Sequence, residues 1–334
     1  MVGAFSCSPP EDIIESRGDL LDVITLGETM VMLVATEAGP LRGIDLFRKH
    51  VAGSEANVAI GLARLGHRSG WISRLGDDEF GLYIRNFLRG EGVDVSQVIF
   101  DSEHPTGIAF KERREIGARR VVYYRRGSAA SHLTPGDLNA DYFTGSHFFH
   151  VSGINSALSA TCHETVLAAI DLAHRAGALV SYDPNIRLRL MDAAAWRQTL
   201  RTMAQRCDIF LPGMEEAELM TGESDPRRAA QAIRDLGPSV VVVKLGAEGA
   251  MALTDAGEAR APALRLERII DPVGAGDGFA AGFLSGQLRG WGLTESLRLG
   301  NLVGASAMSV SGDIEGLPTW EEVQALESNR DVAR

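Results

Sequence analysis

Nine residues toward the C-terminal end of the chain carry the types and spacing that could do chemistry: Asp271, Pro272, Val273, Gly274, Ala275, Gly276, Asp277, Gly278 and Phe279. Two glycines flank an alanine, an acid follows, and a helix opens at once. Phe279 and Phe283 recur at i and i+4, as do Ala280, Leu284 and Leu288, giving that helix an apolar face. A helix start carries unpaired backbone N–H groups and a partial positive charge. Without side chains at Gly274 and Gly276, the backbone can approach an anion closely. A carboxylate in such a place would repel a phosphate. Asp277 makes chemical sense there as a base that takes a proton from an alcohol while the backbone steadies a phosphoryl group. The same residues also allow a structural use, in which the glycines permit close helix–strand packing and Asp277 caps the helix. A dinucleotide fingerprint would need glycine where Phe279 stands, and the chain holds no Gly-Lys-Ser or Gly-Lys-Thr of a Walker loop.

Further polar residues fall where predicted strands end, the usual place for ligands in an open α/β sheet. Asp183, Asn185 and Arg187 follow a strand predicted to end at Tyr182, and Lys244 and Gly246 follow Val243. The Gly-Ala-Gly-Asp segment follows a short strand predicted to end near Ile270. Gly53, Ser54, Glu55 and Asn57 open the first long helix. Singly, each has a plain reading: an Asx turn at Asn185, an exposed strand-end lysine at Lys244, a cap at Asn57. Their shared location argues for one site.

The elements that must position these residues alternate along the chain. Apolar periodicity predicts strands over 21–26, 70–74, 147–151, 178–182, 209–211 and 240–243. It predicts helices over 56–65, 78–88, 160–176, 193–205, 215–221, 226–236, 275–289, 294–309 and 320–328. Strands over 108–111 and 121–125 enclose a charged stretch at 112–120, and the lack of a long helix marks about 96–126, with part of 36–52, as a β-rich lid. Residues 1–20 are polar, hold Pro9 and Pro10, and read as a loose extension of a domain spanning 21–330. The expected fold is α/β: a mostly parallel sheet with helices on both faces and a small β lid.

Composition narrows the partners. The 334 residues include 33 basic and 44 acidic side chains, a net charge of -11, with no basic stripe to suit nucleic acid. Arg113, Arg114, Arg119 and Arg120 cluster around a predicted turn and read as a solvated hairpin. Three scattered cysteines, Cys7, Cys162 and Cys207, form neither a disulfide framework nor a zinc spacing. No apolar run is long enough to span a membrane, and no signal peptide opens the chain. A cytoplasmic protein is expected.

Two segments together resemble a known family. Ala52 to Gly66 reads AGSEANVAIGLARLG and Asp271 to Phe283 reads DPVGAGDGFAAGF. In this order they resemble the two signatures of the ribokinase-like (PfkB) carbohydrate kinases, and the resemblance runs from about Leu21 to Leu326. YYRRGSAAS (Tyr123 to Ser131), DPNIRLRL (Asp183 to Leu190) and GDIEGLPT (Gly312 to Thr319) are most similar to the 2-keto-3-deoxygluconate kinases within it. The resemblance implies a ribokinase-like fold, ATP and Mg2+ as cofactors with a monovalent cation such as K+ as a possible addition, and a homo-oligomer paired through the lid. It implies that Asp277 is the base and that the backbone of Gly274, Ala275, Gly276 and Asp277 is the anion hole. Gly53, Ser54 and Asn57 would bind the sugar, with Glu55 nearby. Tyr123 and Arg125 would reach it from the lid, and Arg187 would contact substrate or phosphate. Asn185, Lys244, Gly246, Ala247, Glu248, Gly249 and Asn301 would line the nucleotide, and Glu216 would place magnesium through water.

The chain departs from the family pattern at three points. Gly213 stands for the Asn of the Asn-x-x-Glu motif. Ile108, Ala109 and Phe110 follow Thr106-Gly107 without the usual Tyr, and Met191 replaces a Trp. The expected acceptor is 2-keto-3-deoxygluconate, with Arg125 and Arg187 suited to its carboxylate. Fructose, ribose or 5-keto-2-deoxygluconate are alternatives within the family. A nicotinamide dehydrogenase and a non-catalytic sugar sensor are alternatives outside it.

Overall fold

The computed structural model describes residues 20–114 and 120–332. The expectations for residues 1–19, with Cys7, and for Arg119 lie outside the described residues.

Nine strands form one sheet in the order β13-β12-β11-β10-β9-β8-β1-β4-β5. These are β1 (Val23–Leu26), β4 (Ser69–Gly76), β5 (Val98–Asp101), β8 (Phe148–Ser152), β9 (Leu179–Asp183), β10 (Ile209–Phe210), β11 (Val240–Lys244), β12 (Ala250–Thr254) and β13 (Gly257–Ala261). From β5 to β11 every pairing is parallel, and β11–β12 and β12–β13 are antiparallel. Alternation along the strands divides the core into two layers. Ile24, Leu26, Phe149, Val151, Val241 and Val243 join Val166, Trp196, Leu200 and Ile233 on one side. Val23, Phe148, Ile209 and Val242 join Phe279, Phe283, Leu284 and Leu297 on the other.

The first layer is built by α4 (Ala160–Arg175), α5 (Ala193–Ala204), α6 (Met214–Thr221) and α7 (Pro226–Arg234), and the second by α1 (Ser54–Arg64), α8 (Ala275–Leu288) and α9 (Leu293–Met308). Helices α2 (Glu79–Gly90), α3 (Gly153–Leu158) and α10 (Trp320–Val332) complete the described α-helices. Helix α8 lies against α9 through glycines: a Cβ at Gly282 would stand 2.6 Å from the Leu299 carbonyl oxygen, and one at Gly286 2.6 Å from Ser296 Oγ. Only a bare backbone lets the two helices come this close.

A second sheet of four strands has the order β3-β2-β6-β7, from β2 (Met30–Ala38), β3 (Phe47–Ala52), β6 (Ile108–Arg113) and β7 (Val121–Tyr124). Three features differ from the sequence reading. Val98–Asp101 pairs with β4 at the edge of the large sheet, so the span 96–126 is divided between the sheets. Strand β2, which pairs with both β3 and β6, is the long inner strand of the small sheet and was not anticipated. No strand leads into Gly-Ala-Gly: residues 262–274 form no helix or strand, and the hairpin β12–β13 comes before them. Pro262 removes a ladder donor, and the adjacent charges Glu267 and Arg268 break the alternation begun at Leu264.

Candidate active site

The carboxyl ends of β1, β8, β9 and β11 face the first turns of α1 and α8, and the polar residues gather there. Asp277, in the first turn of α8, accepts a hydrogen bond from Ser54 Oγ on Oδ1 at 2.7 Å and from Asn57 Nδ2 on Oδ2 at 2.7 Å. Both donors come from the first turn of α1, whose N-cap is Gly53. A Cβ at Gly53 would lie 2.6 Å from the Glu28 carbonyl oxygen, so glycine lets α1 start against the Glu28–Thr29 backbone. Burial raises the pKa of Asp277 to about 6, and the Ser54 and Asn57 hydrogen bonds oppose that rise.

The network continues through Asn185, whose Nδ2 donates to Ser54 Oγ at 2.8 Å. Asn185 has φ of 42°, a left-handed conformation that Asn tolerates better than most residues. Its backbone N–H donates to Asp183 Oδ1 at 3.2 Å, and Asp183 Oδ2 accepts from Lys244 Nζ at 2.7 Å. Burial alone would lower the pKa of Lys244; Asp183 and Glu216 outweigh it and hold the lysine above its ordinary value. A Cβ added to Gly276 would meet Lys244 Nζ at 3.6 Å, so this ammonium stands beside the start of α8. Gly274 caps α8 with φ of 80°, and a Cβ there would overlap the Asp313 carbonyl oxygen. Ser54, Asn57, Asn185, Lys244, Gly274, Gly276 and Asp277 therefore come together as the sequence reading expected.

The other candidates hold further partners. Glu216 receives the backbone N–H of Gly213 at 2.7 Å and of Ile186 at 2.8 Å, and burial raises its pKa. Arg187 is exposed yet near enough to Asp277 to pull that pKa down. Tyr123 is exposed on β7, and the Arg125 guanidinium lies 5.9 Å from its ring centroid. Gly246–Glu248 make a tight exposed turn holding Ala247, and Gly249 follows with φ of 101°. Asn301 Nδ2 donates to the carbonyl oxygens of Ala261 at 3.1 Å and Pro262 at 3.0 Å.

Two buried acids went unassigned from sequence. Glu28 forms an ion pair with Arg125 and accepts from Ser128 Oγ. Its place just after β1, next to Gly27, is the signal that would have flagged it. Asp183, at the end of β9, carries no role in the sequence reading, yet it holds Lys244. Glu55 lies beneath the site, accepts from the Ser152 backbone N–H at 2.9 Å, and is raised to about 7 by burial.

Comparison with known proteins bears on this geometry. The family model described as pfkB family carbohydrate kinase matches residues 20–320. A 2-dehydro-3-deoxygluconokinase of Bacillus subtilis (strain 168) is 43% identical over 308 residues, covering 92% of this chain and 95% of that protein. A 2-dehydro-3-deoxygluconokinase of Thermoproteus tenax is 37% identical, covering 96% and 97%. A putative ribokinase II from E. coli, solved in complex with ATP and Mg+2, superposes with a TM-score of 0.86 at 27% identity, covering 93% of this chain and all of that one.

Proposed function

The chain belongs to the pfkB family of carbohydrate kinases, and on that premise we propose that it transfers the γ-phosphoryl group of ATP to the 6-hydroxyl of 2-keto-3-deoxygluconate. The observation that carries the reaction is Asp277, held by Ser54 and Asn57 at the N-terminus of α8 beside Lys244. With a pKa near 6 the carboxylate is ionised at neutral pH, so it can take the proton of the acceptor hydroxyl. The N–H groups of Gly274, Ala275, Gly276 and Asp277 are the donors that would steady the migrating phosphoryl group, and Lys244 adds positive charge. Gly246, Ala247, Glu248, Gly249 and Asn301 would border the nucleotide, with Asn185 on the phosphate side.

Among the described residues no group of three or more His, Cys, Asp and Glu could hold a metal ion. Magnesium would be carried chiefly by nucleotide phosphates and water, and Glu216, whose two backbone donors leave carboxylate lone pairs free, would hold one of those waters. Bound there, magnesium would neutralise charge on the transferring phosphates. A monovalent cation such as K+ would be an addition to this set, read by exchanging it for tetramethylammonium.

The acceptor assignment is supported by the relatives named above and by two arginines. Arg187 and Arg125 can each donate two parallel hydrogen bonds to a carboxylate that neutral sugars lack. The small sheet would act as the lid that delivers Tyr123 and Arg125. Tyr124 on β7 and Leu46 just before β3 are 66% and 65% exposed, and the sheet would pair with a second copy; sedimentation giving only monomer at micromolar concentration would refute that pairing. No described helix is long and apolar enough to cross a membrane.

A coupled ADP-release assay across sugars and sugar acids tests the whole reading. The highest kcat/KM is expected with 2-keto-3-deoxygluconate. Higher values with fructose, ribose or 5-keto-2-deoxygluconate would leave the family and remove the acceptor.

A further inference from the structure

The segment Gly312–Thr319 resembles the family ending, yet nothing in the chemistry above uses it. It runs from beneath the start of α8 to α10 and is gripped from several sides. Arg64 of α1 donates to the carbonyl oxygens of Ile314 at 2.8 Å and Leu317 at 2.9 Å. His50 of β3 pairs with Glu315. Lys111 of β6 reaches furthest in: its Nζ lies 2.6 Å from Asp271 Oδ2 and 3.8 Å from Asp313 Oδ1. All three side chains of this triad are buried.

Both acids border the phosphate loop. Asp271 opens the segment that leads to Gly274, and its Oδ1 accepts from the Val273 backbone N–H at 3.4 Å. Asp313 lies against Gly274, its carbonyl oxygen filling the place a Cβ would take. Burial raises Asp313 to about 6; Lys111 opposes that rise, while Asp277, Asp271 and Glu315 add to it. Several acids thus crowd one small volume, and the Lys111 ammonium is the cation placed between two of them. It is carried by the small sheet, whereas the loop belongs to the large one.

We propose that Lys111 is a positioning residue for the phosphate loop. By drawing Asp271 and Asp313 together it fixes the backbone of Gly274–Asp277, and it does so only while the small sheet is seated on the large one. Seating of the sheet that carries Tyr123 and Arg125 is thereby coupled to the alignment of the N–H groups that hold the phosphoryl group. The structural coupling stands on the contacts alone; its consequence for turnover rests on the kinase reading. Charge rather than bulk is the operative property, because two buried carboxylates converge on one nitrogen.

The test uses full-length protein and compares Lys111→Met, nearly the same length without charge, with Lys111→Arg, which keeps the charge. Two readouts are taken. The first is turnover at saturating ATP and sugar acid; the second is amide hydrogen exchange by mass spectrometry. Useful reporters are the Gly278 amide, which donates to the Gly274 carbonyl oxygen at 2.8 Å, and the Ile270 amide, which donates to Met308 at 2.9 Å. Lys111→Met is expected to lower kcat by about ten- to a hundredfold with KM for ATP changed far less, and to speed exchange selectively across 270–278. Lys111→Arg is expected to restore most of both. Wild-type exchange at 270–278 in Lys111→Met would overturn the proposal, as would an equal loss in both variants with exchange faster everywhere. Absence of ADP release from the wild-type protein with every acceptor, alongside the selective exchange change, would instead overturn the kinase reading and leave the clamp standing.

Discussion

Lys244 and Asp183 end neighbouring regions of one sheet with their ammonium and carboxylate groups 2.7 Å apart, and the same ammonium faces Gly276 at the start of α8. A buried lysine paired in this way stays charged where an isolated one would tend to lose its proton. The site therefore joins a fixed cation and a row of backbone N–H groups on one side to the carboxylate of Asp277 on the other. Such a division suits phosphoryl transfer, which needs in-line placement and charge stabilisation more than covalent help from the protein.

Lys244→Met removes that cation and leaves Asp183 buried beside Glu216. A loss of about 2.7–4 kcal/mol in transition-state stabilisation is expected, by analogy with deleting one oxyanion-hole donor. In kinetic terms kcat/KM for ATP falls by about 10²–10³. Initial rates over a range of ATP at saturating acceptor measure it, and a change below threefold would place the lysine outside the reaction.

Asp277→Asn keeps the size of the side chain and removes the carboxylate proposed as the base. A positioned general base is worth about 10²–10⁴ in rate, so kcat should fall by that factor while ATP still binds, as followed by calorimetry. In the wild-type enzyme the base must be ionised, so kcat/KM should decline on the acid side with a midpoint near pH 6. Burial causes that displacement from 3.8. A profile flat down to pH 5, or Asp277→Asn turning over like wild type, would remove Asp277 from its role.

Much of this was legible in the sequence because local rules and tertiary needs agreed. Gly53, Asn57, Gly274 and Gly276 announce helix starts that tolerate close approach, and the structure joins Asn57 to Asp277. The unbroken apolar run at 240–243 became β11, covered on both faces by Val242 on one side and Val241 and Val243 on the other. What stayed hidden depends on long-range pairing. Strand β2 was missed because its polar outer half, Thr36 to Ala38, breaks the apolar signal, while its register with β3 and β6 is set by distant residues. Lys111 looks like an ordinary surface charge until Asp271 and Asp313 are brought to it. Likewise β12 and β13 are short, and their hairpin turns at Gly257 with φ of 127°.

The same substitution at Asp277 should stabilise the resting protein. Its pKa is raised in the folded state from 3.8 to about 6, so the folded protein holds a proton that the unfolded chain has released between those values. That contribution is fully present below pH 3.8 and is lost as pH rises through about 6. At neutral pH the buried carboxylate therefore costs stability, and Asp277→Asn avoids the cost, on the order of 1–3 kcal/mol. Ligand-free denaturation should show a higher Tm for Asp277→Asn at pH 7.5, with the gain shrinking toward pH 4. A lower Tm at neutral pH would mean that the hydrogen bonds from Ser54 and Asn57 to the charged form outweigh its desolvation.

Acceptor choice should depend on Arg125, which Glu28 holds in place for the substrate. In the ligand-free protein Glu28 holds the guanidinium and also accepts from Ser128, so neither the buried acid nor the arginine is free. A sugar-acid carboxylate can engage the outer edge of the guanidinium while Glu28 keeps the inner one, and Arg presents enough donors for both. Hydrogen bonds to a charged partner are worth about 1.5–3 kcal/mol, so Arg125→Leu should raise KM for the sugar acid by about 10- to 100-fold. A neutral sugar makes no such ion pair, and its weaker turnover should change little. Because the variant strands Glu28, Arg125→Leu combined with Glu28→Gln restores a neutral interior and separates lost recognition from lost packing. Steady-state kinetics on both acceptors give the answer: selective loss with the acid in the single and double variants supports recognition by Arg125. Equal losses on both acceptors, reversed in the double variant, would reduce Arg125 to a structural partner of Glu28 and leave Arg187 as the residue that meets the carboxylate.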